Sequence, residues 1–336
     1  MSPLSDGRDE AEGSRVRVLR TALAPVLVLA VILLGGCGRV SGLLDRVSLF
    51  HPVWAADGWV YYLREVTSTS SSGVAEVWRQ RPDGSAEEPV LTRAPAVSTC
   101  EAGLFSFLFA GPDGDLGVAL ECGWDGTELL SYSPADKTFE PLASTGFLVD
   151  AALVNGAGGG YVEAPRKCGP GGIQLLADGK AYEFGSPVTV GGATFNPSGG
   201  DTDCGSTVLA RSPAALGERL FFITAPDSLG RLPLPPEVSP DDLTWHLTEW
   251  DVGSATARFL TELPGLANLA VSPDGRSVIA AVASDHVGGV WSVDVGSGKK
   301  TRIADGARAY HPSFSPDGKR FVYVEAFARL KFAKAR

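Results

Sequence analysis

The sequence predicts an all-β fold: a β-propeller of six four-stranded blades, with seven as the alternative count, behind an N-terminal signal peptide. Three observations carry this. Segments near both ends of the body almost copy each other, His51-Pro-Val-Trp-Ala-Ala-Asp-Gly-Trp-Val-Tyr-Tyr-Leu and His311-Pro-Ser-Phe-Ser-Pro-Asp-Gly-Lys-Arg-Phe-Val-Tyr-Val. Further copies run from Leu269 to Val282 and, more loosely, from Leu108 to Leu120, with degenerate versions near Val154–Gly156 and from Ser212 to Ile223. Second hairpins lie between them, around Pro82-Asp83-Gly84, Pro134–Lys137 and Gly296–Gly298.

The repeated turn has a mechanical basis. Proline sets φ for the second turn position, aspartate tolerates the third, and glycine takes the place where φ is often positive. Asp57-Gly58, Asp113-Gly114, Asp274-Gly275 and Asp317-Gly318 each separate two apolar runs, so each marks a hairpin. With the degenerate copies included, successive turns lie about 43–61 residues apart, a blade period. Residues 50–336 make the propeller on this reading. A pair of β-sandwiches is the fold alternative, and it leaves the likeness of the two ends unexplained.

Arg15, Arg17 and Arg20 precede an uncharged run, Thr21–Gly38, whose apolar heart Ala22–Leu34 has the length of a signal-peptide core and is short for a membrane span. Leu34-Gly35-Gly36-Cys37 resembles the bacterial lipobox, which implies residues 1–36 as a lipoprotein signal peptide and lipidation at Cys37. Multiple acyl chains give a lasting anchor. An uncleaved signal anchor and an ordinary cleaved signal are the alternatives, and all three place the body outside the cytoplasm. Cys100, Cys122, Cys168 and Cys204 then form an even set for an oxidising compartment, with Cys100–Cys122 and Cys168–Cys204 as the expected pairs and buried free thiols as the alternative.

Hydrophobic residues are 44% of the 336-residue chain, enough to bury a full core and too many for a disordered protein. The net charge of −10, with no basic stripe, argues against nucleic acid as a partner.

Ser272-Pro273-Asp274-Gly275 and Ser315-Pro316-Asp317-Gly318 match, and Gly111–Gly114 and Ala55–Gly58 match in part, a repeat that resembles the TolB-like, WD-related propeller repeat of bacterial envelope proteins. The resemblance implies fold rather than chemistry. The last hairpin is followed by residues for one more strand, so Val40–Phe50, drawn from a tether of residues 37–49 and the first propeller residue, is expected to complete the sixth blade.

A ligand-binding face is expected opposite the Asp-Gly turns, where His51 and His311 approach the axial opening just ahead of first strands, with Arg64, Asp285 and His286. Long loops at residues 67–73, 164–172, 226–242 and 284–289 fall on that side. Asp201-Thr-Asp203 reads as a polar turn rather than a calcium loop. The sequence holds no G-x-S-x-G, H-E-x-x-H or Walker motif, and no catalytic residue, metal or cofactor is expected. The resulting expectation is a membrane-anchored extracytoplasmic lipoprotein whose propeller binds a protein or glycan without catalysis. The alternative is an envelope hydrolase or lyase working at the axial opening.

Overall fold

The computed structural model describes residues 46–67, 74–100, 103–154, 159–166, 169–182, 188–190, 193–195, 210–224, 243–251, 253–254, 256–306 and 308–335. Cys37, Cys168, Cys204, Asp201, Asp203 and the 226–242 loop lie outside these residues. The described part is a six-bladed, all-antiparallel β-propeller. Blade one is β1 (Arg46–Trp54), β2 (Val60–Thr67), β3 (Ala75–Gln80) and β4 (Glu87–Leu91). Blade two is β5 (Leu104–Ala110), β6 (Leu116–Glu121), β7 (Thr127–Ser133) and β8 (Thr138–Thr145). Blade three is β9 (Asp150–Val154), β10 (Gly159–Arg166), β11 (Gly169–Ala177) and β12 (Lys180–Tyr182), followed by a small hairpin, β13 (Val188–Val190) and β14 (Ala193–Phe195). Blade four is β15 (Ala210–Leu216), β16 (Arg219–Thr224), β17 (Trp245–Asp251) and β18 (Thr256–Leu263). Blade five is β19 (Ala267–Val271), β20 (Ser277–Val282), β21 (Gly289–Asp294) and β22 (Lys300–Asp305). Blade six is β23 (Ala309–Phe314), β24 (Arg320–Glu325) and β25 (Arg329–Lys334), three strands among the described residues.

Period-two alternation builds the core. On β16, Leu220 and Phe222 join Tyr161 and Ile173 of blade three, while Phe221 and Ile223 join Val278 and Val293 of blade five. The same division places Leu116, Val118 and Leu120 of β6 against blade one and Ala119 against blade three. Each blade therefore hides both greasy faces only by stacking between two others.

The ring closes by packing. Phe50 and Trp54 of β1 meet Phe327 and Phe332 of blade six with ring centroids 5.3 and 5.8 Å apart. The Leu49 N–H donates to Phe327 O at 2.7 Å, and the Trp54 N–H to Ser313 Oγ at 3.0 Å. This corrects the expected closure for residues 46–50: they pair with β2, as the inner strand of blade one, because Leu49 and Phe50 continue the apolar register of that hairpin. Residues 40–45 lie outside the described set.

The repeat turns behave as their chemistry dictates. Gly58, Gly114, Gly275 and Gly318 have φ of 81°, 86°, 69° and 68°. In the two full copies Asp274 and Asp317 each accept a hydrogen bond from the serine two residues before, at 2.7 Å, and from the backbone N–H two residues after, at 3.1 Å. Cys100 and Cys122 are disulfide-bonded across the β5–β6 hairpin. The Gly- and Pro-rich stretch 164–172, expected as a long loop, is mostly strand: β10 runs to Arg166 and β11 starts at Gly169.

Candidate functional site

The six innermost strands β1, β5, β9, β15, β19 and β23 line an axial cavity of about 350 Å³. Three of them are interrupted by the same device. Phe50–Val53, Arg211–Ala214 and Tyr310–Ser313 are register shifts, each holding a residue with positive φ followed by proline: His51 (45°), Ser212 (55°) and His311 (46°). A proline has no N–H for a ladder, so a bulge is where an inner strand tolerates it. The bulge also frees an amide on the residue before proline. The His311 N–H donates to Asn268 Oδ1 of blade five at 3.2 Å, and the Ser212 N–H to Glu163 Oε2 of blade three at 2.7 Å.

His51 and His311 therefore sit inside β1 and β23 rather than ahead of them. Their rings stack with centroids 3.7 Å apart and an interplanar angle of 30°. The His51 ring also lies 5.9 Å from that of Phe107 of blade two. Both imidazoles are half-buried, and both line the cavity. Burial pushes His51 well below the ordinary imidazole value, and repulsion from His311 adds to this. Burial pushes His311 down to about 4. Both rings are neutral at pH 7, and His311 Nδ1 is buried with no hydrogen-bond partner among the described residues.

A carboxyl group that the sequence did not point to lines the same cavity. Asp150 pairs directly with Glu163 across the β9–β10 ladder, two acids side by side. Glu163, almost wholly buried, accepts from Arg211 Nε at 2.9 Å and from the Ser212 N–H at 2.7 Å, one bond to each carboxylate oxygen. Burial first and the Glu163 carboxylate second push Asp150 up to about 8, against the opposing hydrogen bond from the Ala151 N–H and the Arg211 charge. Asp150 is thus a neutral acid at pH 7.

Arg64, Asp285 and His286, the other members of the expected binding face, are not among the cavity's lining residues. Arg64 lies 4.2 Å over the Trp78 ring. Asp285 is held by Arg308 through bonds of 2.5 and 2.6 Å, which keep its carboxyl below the usual carboxylate range. His286 is exposed, in the turn between β20 and β21, and its N–H donates to Ser284 Oγ. From the histidine pair the cavity wall runs to Ala56, Gly114, Gly217, Pro273 and Pro316, on the face that carries the Asp-Gly turns. Among the described residues one trio of metal-ligand types converges, Cys100, Cys122 and Glu128. Its sulfurs are joined to each other, and the Glu128 carboxylate accepts from Ser98 and Thr99.

No protein-family profile matches the chain, and no curated protein matches it. Among solved structures it is similar to the Penicillium chrysogenum α-L-arabinanase complexed with arabinobiose, at 12% identity and a TM-score of 0.54 over 87% of this chain and 97% of that one. The likeness is one of fold. Putative TolB from Agrobacterium tumefaciens is also similar, at 18% identity and a TM-score of 0.45, covering 69% of this chain and 77% of that one. The gluconolactonase XC5397 from Xanthomonas campestris matches at 14% identity and a TM-score of 0.49, covering 87% and 90%.

Proposed function

We propose that this chain is an extracytoplasmic binding module, tethered to a membrane through lipid on Cys37, whose axial cavity receives a side-chain-sized or sugar-sized group of a protein or glycan partner. The observation that carries the reading is the cavity itself. Every blade contributes to its walls, which are largely Pro, Ala and Leu, with a few polar groups fixed by bulges and cross-blade hydrogen bonds. That composition is the one small-ligand sites show. Ala110 lines the cavity, and Ala110→Trp plugs it. A stoichiometric partner recovered from mildly solubilised membranes by the wild-type chain should be lost with Ala110→Trp. Recovery of the same partner by both proteins refutes the axial reading. Cys37→Ser should move the chain from the detergent phase to the aqueous phase and abolish labelling by a fatty acid; unchanged partitioning refutes the anchor.

One observation favours a second reading, catalysis at the same place. Neutral imidazoles and a protonated carboxyl group share one cavity, a pairing suited to general base and general acid. Turnover of an envelope glycan that disappears with His311→Gln would select it over the binding reading.

A further inference from the structure

The chemistry of the axial cavity specifies the charge of its guest. Its described lining contains Asp150, two imidazoles, Asn268 and the rings of Trp54 and Phe314, and among the described residues no lysine or arginine. Arg211, behind Asp150, is spent on Glu163, and Arg320 lies over the Trp54 ring. A guest therefore meets hydrogen-bond acceptors and a carboxyl group, on a chain of net charge −10. We propose that the axial cavity is a receptor for a primary ammonium group, of the kind a lysine side chain or a polyamine carries, with the Asp150 carboxylate as its counter-ion. This rests on the axial binding reading and names its ligand chemistry.

The step balances without a co-reactant. The ammonium enters with its three protons, and Asp150 gives its carboxyl proton to the buffer as it becomes the paired anion. The groups that face Asp150 support this order of events. Glu163 from β10 makes a second unpaired carboxylate beside it unfavourable, and Arg211 from β15, bonded to Glu163, offsets this only in part. His51 from β1 and His311 from β23, on the same cavity wall, are neutral at pH 7 and offer nitrogen lone pairs to an ammonium. A guest anion would find no lysine or arginine among the described lining to pair with.

Isothermal titration of the detergent-solubilised full chain with n-butylammonium chloride tests this, with Nα-acetyl-lysine amide and spermidine as the two natural sources and 1-butanol as the uncharged control. The expected result is saturable binding of n-butylammonium, release of about one proton at pH 7 when buffers of different ionisation enthalpy are compared, and affinity rising about tenfold per pH unit from pH 6 towards 8 before levelling. Whichever of the lysine amide and spermidine binds more tightly names the source. Asp150→Asn, nearly isosteric, should weaken binding at least tenfold and abolish the proton release, with its melting transition retained. Equal binding of 1-butanol, equal binding by Asp150→Asn, or no saturation by any ammonium overturns the proposal. A membrane partner that is lost with Ala110→Trp but retained by Asp150→Asn also overturns it, while leaving the axial binding reading intact.

Discussion

Acidification should destabilise this propeller at a pH where carboxylates are still ionised, and a single histidine substitution should cancel the effect. His311 binds its proton at about 4 in the native state and near 6.5 when unfolded, and burial moves His51 in the same direction. A histidine with a lowered native pKa contributes stability in full above the unfolded value and loses it as pH falls towards the native one. Asp150 acts with the opposite sign. Raised to about 8 in the native state, it holds a proton there that the unfolded chain lacks, so its contribution grows as pH falls from 8 towards the unfolded value. Between pH 6 and 5 the unfolded chain thus binds two protons more at the histidines and one fewer at Asp150, a net uptake of about one. The wild type should lose about 1.4 kcal/mol over that unit, since one proton corresponds to that slope. His311→Gln should be nearly flat, and Asp150→Asn should lose about twice as much as the wild type. Urea unfolding followed by far-ultraviolet circular dichroism at pH 7, 6, 5.5 and 5 measures all three. A wild-type slope in His311→Gln, or a shallower slope in Asp150→Asn, refutes the assignment of these protons.

Three further outcomes follow from the packing. Removing the Cys100–Cys122 bridge as Cys100→Ala/Cys122→Ala opens a loop of 22 residues and should cost about 3 kcal/mol, seen by calorimetry as a melting point lowered by several degrees. Glu163→Ala strips Arg211 and the Ser212 amide of their acceptor in a buried place and should cost about 3 kcal/mol in urea unfolding, whereas Glu163→Gln should lose less. Gly114→Ala combines φ of 86° with a new Cβ 2.7 Å from Ala56 Cβ, so its urea midpoint should fall by the equivalent of about 1–2 kcal/mol.

The turns were readable in the sequence because their chemistry is local. Asp274 and Asp317 bond to the serine two residues before and the amide two residues after, so five residues hold the whole instruction. The Cys100–Cys122 pair was readable for the same reason, since one hairpin separates them. His51 and His311 were visible as repeats, yet their place inside a strand was not, because a proline ordinarily ends a ladder and only the bulge lets the strand continue. Asp150 could not be found at all. Its raised proton affinity comes first from burial in the ring and then from Glu163 across a ladder, offset by Arg211, 48 residues beyond that glutamate, and no local spacing encodes such a setting. The stretch 164–172 misled in the other direction, since glycine and proline there sit in strand ends and not in an open loop.

The central claim is that a partner's group enters the axial cavity. The chain has four histidines, so selective isotope labelling of their rings gives a spectrum in which each can be followed. Adding the partner recovered from membranes should shift the His51 and His311 ring signals and leave the exposed His286 unmoved. Shifts at His286 with His51 and His311 unchanged would place the contact on the outer loops and contradict the account.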